Sequence, residues 1–581
     1  MLSKNWSSVI YYTVCFCLFA AALIITIPHR PLMHGVFTYG SYYIILCMTI
    51  AWGLCLVDLY NAQHGSALRF IQQHWKGLLA SFLLASIVFI SVPKSFRVLN
   101  DETNLLSVSK SMTFYKNVEN MTEGRYYYDI FWPSESTGTE KRPFLFQFFT
   151  SLLHTFFGYR VLNAFILNYF VLWAMLFLIY LCIYTSLDFL FVLAGMVLII
   201  SQPFIALSAT SASFEVFNFT FILASFVALK NFLKTPTAIA FSALVMTLTM
   251  LAHVRYESIL FFIITMLVLV ISGKVKIEYF NKSWALGLVP LFILPLIWQR
   301  VLLINEPDPN LTQGSWLHAF SLGHAKENIV LFMKYIFDVS GSLGYAGCVN
   351  IINVLAAVVL LVITLRKDWP LDNKKLITWS CAGIGLFALF ILVLFYQGGI
   401  NDHPLNGRFY IPVIASLCLV PVYLVVVLSK NNKKAATVTL GLALAAFAYY
   451  HPVAMEDNLC STLVINREYR YVNEFLERHA QEDSLIIWGT PGQLIVSNRG
   501  AISYQTANND VDNVLQQIKN HLYSNVFVIQ AIYYNTKQPF PDNVLDARYQ
   551  LQTLEERQIS GKYFYRISRI VLADKNYSTA N

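Results

Sequence analysis

Charge is what this sequence has least of. Asp, Glu, Lys and Arg make up 13% of its 581 residues, about half of the roughly 25% that a soluble domain carries. A wholly soluble protein is excluded. A cysteine framework is also missing: Cys15, Cys17, Cys47, Cys55, Cys182, Cys381 and Cys418 lie inside apolar runs as small hydrophobes, and Cys348 and Cys460 stand in loop-like surroundings without metal spacing. No Gly-rich phosphate loop joins a strand to a helix, and no DxD-type signature marks a soluble domain, so a nucleotide-sugar site of the soluble kind is excluded. There is no repeat of fixed period and no low-complexity segment.

Apolar residues fill the space that charge leaves, at 56% hydrophobic and 15% aromatic. A bilayer core about 30 Å thick needs about 20 apolar residues per helical span, and such windows recur over the first 450 or so positions without the alternation of barrel strands. The sequence predicts a polytopic α-helical membrane protein of about thirteen spans, near 9–27, 39–59, 77–93, 161–183, 188–207, 215–229, 237–252, 258–272, 285–304, 349–365, 376–396, 410–428 and 435–453. The first run has no small-residue cleavage site and is followed by "PHRPLMHG", which reads as a retained span. The net charge of +8 points to no nucleic acid, because most Lys and Arg sit in short loops between spans and report orientation. "KNFLK", "GKVKIEYFNK", "RKDWPLDNKK" and "SKNNKK" all fall on one side of the count. That side is predicted to be cytoplasmic, together with the N-terminus, leaving the loops at 94–160, 305–348 and 397–409 and the tail from 454 on the external face.

The tail has a different character. Strand-like "SLIIWG" (484–489), "AISYQT" (501–506) and "NVFVIQAI" (525–532) alternate with helix-like 467–480 and 510–522, which predicts a small α/β extracytoplasmic domain.

The stretch "VPKSFRVLNDETNLL" places Asp101 and Glu102 just past the end of a span. One reading is a helix start, with Asn100 as N-cap and both acids at the positive end of the dipole. Neighbouring helical positions point about 100° apart, so at most one acid faces a shared site and the other is left for capping or for Arg97. A single carboxylate at the membrane surface is also what a transfer reaction needs to accept a proton from an acceptor hydroxyl or amine. Further along, Pro143 fits a first helical position, and Gln147, Thr150, Ser151 and His154 form one polar stripe on a Phe- and Leu-rich helix. Such a helix can lie in the interface plane or simply flank a span.

Two arginines stand on the predicted external side, against the charge bias. Arg255, in "LAHVRYES", and Arg408, in "QGGINDHPLNGRFYIP", suit either interfacial anchoring or a bound anion, since a guanidinium grips two oxygens and stays charged when buried. His253 and Glu257, four residues apart, and His403 are candidates for substrate or metal contacts, with a divalent metal as the candidate cofactor.

In order and spacing, the acid pair after a span, then "KRPF" leading to "LLHTFFGYR", then "FLFVLAGMVLIISQPFIALSATSASFEVFNFTFILASFVAL", resemble the GT-C membrane glycosyltransferases over residues 77–430. The likeness is to the branch that holds the dolichyl-phosphate-mannose protein mannosyltransferases and the lipid A aminoarabinose transferase. The resemblance implies a catalytic region at 77–453, preceded by an extra hairpin at 1–76 and followed by the tail domain at 454–581. It implies that Asp101 acts as the base, with Glu102 beside it, and that Glu215 is a second acid. Lys141, Arg142, Arg255 and Arg408 would then meet the lipid phosphate. "KRPF" stands where family members often have a basic residue and two prolines, and Phe409 with Tyr410 stand where one tyrosine is usual. The implied function is transfer of a hexosyl or pentosyl unit from a polyprenyl-phosphate donor to an extracytoplasmic lipid, glycan or protein, with inversion, in a bacterial plasma membrane. A flippase or a ligase of lipid-linked glycans is the competing class.

Overall fold

An apolar segment that leaves water must satisfy its own backbone, and a helix does so within one segment. The structure, a computed structural model, describes residues 2–63, 67–128, 130–183, 187–304, 320–366, 373–396, 404–450 and 464–572. Every window predicted to span is helical among the described residues, with a break inside 188–207. Among the described residues nine helices are long and apolar enough to cross a membrane, from Ser7–Thr26 to Gly407–Ser429. The protein is an integral membrane protein.

The predicted count of about thirteen differs for local reasons. The window at 188–207 is two helices, Phe189–Ile200 and Pro203–Ala209, bent by 79°. Pro203 has no N–H to give and pushes the residue before it out of the helical region; Gln202 is extended, with φ −78° and ψ 111°. The polar break is buried and satisfied: Gln202 Oε1 accepts the Ala346 N–H at 3.0 Å and its Nε2 donates to Asn350 Oδ1 at 3.1 Å. If this pair is one span, the count is ten. Ala238–Ala252 and Ile259–Ile271 have 15 and 13 residues, which at about 1.5 Å per residue fall short of about 30 Å. Lys433–Tyr449 has 17.

The chain divides into two units, residues 1–97, 141–150 and 164–459 forming one, and 98–140, 151–163 and 460–581 the other. In the first, Trp298 Nε1 donates to Thr26 Oγ1 at 2.9 Å and Trp52 Nε1 to Thr247 Oγ1 at 3.0 Å. These bonds fix helix pairs that are otherwise held by apolar packing.

The second unit is built on a seven-stranded sheet of order β2-β1-β4-β3-β5-β7-β6. Its strands are β1 (Glu119–Tyr127), β2 (Ile130–Thr139), β3 (Leu485–Ile487), β4 (Gly500–Ile502), β5 (Val526–Tyr533), β6 (Gln550–Gln558) and β7 (Tyr563–Val571). The central β4, β3 and β5 are parallel, as buried apolar strands flanked by helices should be. The helices Val464–His479 and Val511–Lys519 match the predicted pattern. The hairpin β1–β2 joins the sheet through an antiparallel bridge from Gly124 to Ala501. Gly124 is required there, since a Cβ would stand 2.8 Å from the Trp132 oxygen and the Pro133 Cα.

The helix predicted to open at Pro143 runs from Leu145 to Phe157. Its polar stripe of Gln147, Thr150, Ser151 and His154 is buried, and Phe156 and Phe157 are exposed. His154 explains part of this, holding Ser109 Oγ at 3.2 Å and Asn163 Nδ2 at 2.9 Å.

Candidate active site

In the first unit, the serine-rich turn before Glu215 is clamped by Asn168, whose Nδ2 donates to the carbonyls of Ser211 and Ser213, each at 2.7 Å. The clamp sets the start of the helix Glu215–Lys234, where the dipole favours an anion. Glu215 is buried, and its Oε1 lies 2.8 Å from Nε of Arg408, itself buried in the 3-10 turn Pro404–Tyr410. Arg408 therefore does have an acidic neighbour, contrary to the impression its own helix gives, because the partner comes from a helix distant in sequence.

Arg255 occupies the extended link between Ala238–Ala252 and the turn Tyr256–Ser258. Its Nη2 and Nε lie 2.5 and 3.1 Å from Glu257 Oε1. Ser258 Oγ donates to Asn218 Oδ1 at 2.7 Å, which holds this link against the helix that Glu215 begins. The guanidinium groups of Arg255 and Arg408 lie 4.9 and 5.0 Å from the centre of the Phe409 ring, within cation–π range. Glu215, Asn218, Arg255, Glu257, Arg408 and Phe409 line one pocket, closed at its side by Leu389, Val393 and Pro412. Its free space is about 10 Å³, enough for about one water. Two arginines and two carboxylates thus neutralise one another in a closed cleft, and an incoming anion has to replace a carboxylate or widen the site.

Lys141 and Arg142 are held through their backbones. The Tyr256 hydroxyl lies 2.5 Å from the Lys141 carbonyl and 2.6 Å from Gln299 Oε1, donating to one at a time, and Gln299 Nε2 donates to the Arg142 carbonyl at 3.0 Å. Arg300 stacks 3.4 Å from the Tyr256 ring centre. Sequence reasoning missed Gln299 and Arg300, although a Gln-Arg pair inside an apolar helix is the signal that flags a polar site in a membrane segment. It missed Asn168 and Asn218 too, which carry no such local signal.

His253 is fully buried and its Nε2 lies 2.8 Å from the Phe292 carbonyl, while its own carbonyl accepts the Leu145 N–H at 3.1 Å. It is absent from the pocket lining and ties the start of the helix Leu145–Phe157 in place. His403 lies outside the described residues. Among the described residues no group of three His, Cys, Asp or Glu could hold a metal ion.

Asp101 and Glu102 belong to the second unit, in the first turn of the helix Leu99–Phe114. The expected cap is corrected. Val98, not Asn100, is the N-cap, and its N–H is taken by Glu102 Oε1 at 2.9 Å. Glu102 is 0% exposed, whereas Asp101 is half-buried. Asn100 instead accepts from Gln493 Nε2 at 2.5 Å.

No protein-family model and no curated protein sequence matches this chain. Its structure is similar to that of ArnT from Cupriavidus metallidurans bound to undecaprenyl phosphate, with a TM-score of 0.53 over 87% of this chain and 99% of that one, at 10% identity. The apo crystal structure of the same protein is similar with a TM-score of 0.50 over 85% and 98%, at 9% identity. The fold is thus that of the GT-C transferases.

Proposed function

We propose that this protein is a membrane glycosyltransferase that moves a sugar from a polyprenyl-phosphate donor to an extracytoplasmic acceptor, with inversion. The observation that carries the reading is the pair of guanidinium groups, Arg408 buried and Arg255 largely so, meeting around Phe409 in a membrane-embedded unit of GT-C fold. A polyprenyl-phosphate sugar leaves its phosphate behind, and negative charge grows on that phosphate as the glycosidic bond breaks. Fixed cations in a site that excludes water stabilise this charge most, because they need no reorganisation at the moment of reaction. The donor phosphate exchanges with Glu215 or Glu257 for the arginines, which keeps the guanidinium groups neutralised before the donor arrives. Lys141 and Arg142, positioned by Tyr256 and Gln299, add further positive charge for the same phosphate. Asp101 takes the acceptor's proton, leaving Glu102 to its cap. The likeness in fold to ArnT, crystallised with undecaprenyl phosphate, supports a polyprenyl-phosphate lipid as the donor class, and hexosyl or pentosyl transfer is the reaction we assign.

The test uses purified protein in lipid with a polyprenyl-phosphate sugar and a crude envelope acceptor, reading acceptor-dependent release of the lipid phosphate. Arg255→Met and Arg408→Met should each weaken donor binding by about tenfold or more, the scale of losing a charged hydrogen-bonding partner. Movement of intact donor across the bilayer without release would favour a flippase and overturn the reading.

A further inference from the structure

The second unit carries a cavity of its own, of about 420 Å³, within the range of about 300–1,000 Å³ typical of small-molecule sites. Its position follows from the sheet. β3 has β4 on one side and β5 on the other, and β7 lies beyond β5, so the chain leaves β3 and β5 in opposite directions and opens a crevice beyond the carboxyl ends of these two parallel strands. Open α/β sheets bind ligands at such a switch point. Here Trp488 and Thr490 follow β3, Ser503 and Tyr504 follow β4, and Phe540, Asp542 and Asn543 lie in the loop after β5.

The lining has a definite chemistry. Trp488, Tyr504, Phe540, Tyr563 and Tyr565 supply ring surface, and Glu468 and Asp542 supply charge, with no Lys, Arg or His among the residues that line it. A phosphate or carboxylate would meet only like charge. Glu468 accepts from the Tyr563 hydroxyl, and burial raises its pKa. Gln493 is 4% exposed, and its Oε1 has no hydrogen-bond partner among the described residues although its Nε2 is bonded to Asn100. A buried acceptor left unmade is costly, and this one lines the cavity. The site therefore offers acceptors and apolar ring faces. Its ligand must bring several O–H or N–H donors together with a C–H face.

We propose that this cavity binds a saccharide bearing no anionic group, neutral or aminated. Its hydroxyls would fill Gln493 Oε1 and the two carboxylates, and its C–H face would pack on the rings. The inference does not rest on the transfer reaction, since it concerns binding by the second unit alone.

The full-length protein, in a detergent without a sugar headgroup, is titrated with glucose, galactose, glucosamine and N-acetylglucosamine, and binding is read by saturation-transfer NMR and tryptophan fluorescence. At least one should bind saturably, with glucose 6-phosphate weaker by about tenfold or more because like charge is built against it. Asp542→Ala, at an exposed position, and Gln493→Leu, with folding checked by thermal unfolding, should each weaken binding by about fivefold or more. Arg408→Met should leave it unchanged. Absence of saturable binding by all four sugars, equal affinity for glucose 6-phosphate, or full binding by a folded Asp542→Ala and Gln493→Leu pair would overturn the inference. So would loss of binding in Arg408→Met alone, with its folding verified by thermal unfolding, which would place the sugar in the arginine pocket. Failure of phosphate release with sugar binding intact would count against the transfer reaction and not against this site.

Discussion

Arg408 and Glu215 show what one residue can be asked to do in a low-dielectric interior. Two buried charges 2.8 Å apart need each other, because removing one partner of a buried pair costs about 3–5 kcal/mol whereas replacing both is far milder. Glu215→Gln is therefore expected to lower the unfolding temperature more than Glu215→Leu combined with Arg408→Met, measured by thermal unfolding in detergent. Equal losses would show that the pair is not energetically coupled. Lys110 poses the opposite case. Its Nζ donates to the Ile495 carbonyl at 2.8 Å and to Asn498 Oδ1 at 2.6 Å, and lies 4.5 and 4.8 Å from the rings of Phe131 and Tyr159. Burial nevertheless pushes its pKa down from 10.5 to about 7. Below that pH both folded and unfolded states hold the proton; between about 7 and 10.5 only the unfolded state does, so stability should rise with pH across this window. Unfolding temperatures taken across it should climb in the native protein and flatten in Lys110→Met.

The helix Leu99–Phe114 separates the two acids that adjacency in sequence leaves equivalent. Glu102 points back to the Val98 N–H and is sealed, and Asp101 retains exposure. Asp101→Asn keeps size and hydrogen-bonding capacity but cannot take a proton, so transfer at saturating donor should fall by about 10² to 10⁴ with donor binding near normal. Glu102→Gln still offers an oxygen to Val98 and should cost about 0.5–1 kcal/mol of stability, with the smaller effect on transfer. Full activity of Asp101→Asn, with expression matched, would remove it as the base. That a helix starts after the span was legible from "NDETNLL"; that Val98 caps it and Asn100 serves Gln493 was not, because Gln493 lies in the tail. The hairpin β1–β2 was illegible for a related reason. "ENMTEGRYY" lacks strict alternation and reads as a polar loop, and its burial is supplied by β4 and by the short helix Gly492–Ile495. The edge strand β6, charged and mostly exposed, gave no strand signal either.

Over the whole molecule, the positive-inside bias leads us to place the Asp101 loop and the tail on the external face. Cysteines introduced at exposed positions such as Lys562 and Ser136 should be labelled by an impermeant maleimide in cells or spheroplasts, and one in "SKNNKK" only after lysis. The reverse pattern would refute the orientation. The second unit also changes what truncation means. The loop strands and the tail strands share one sheet, and Lys110 takes both its oxygen acceptors from the tail. Removal of residues 460–581 should abolish transfer by unfolding the helix that bears Asp101, while donor binding by the first unit persists. Transfer retained in a folded truncation would contradict this account.

Hydropathy, loop charge and strand or helix period are local quantities, so the sequence alone determined that the chain is a polytopic helical membrane protein with an α/β tail, and it singled out Arg255 and Arg408 as charges in unusual places. Partnership is not local. Glu215 meets Arg408, Tyr256 and Gln299 hold the backbone of Lys141 and Arg142, and the loop hairpin completes the tail's sheet, each joining residues whose neighbours in sequence carry no trace of the contact. Tertiary structure alone decided these, because a buried charge or an unpaired strand edge is satisfied by whatever the fold brings to it, and the fold is set by the sum of all the segments.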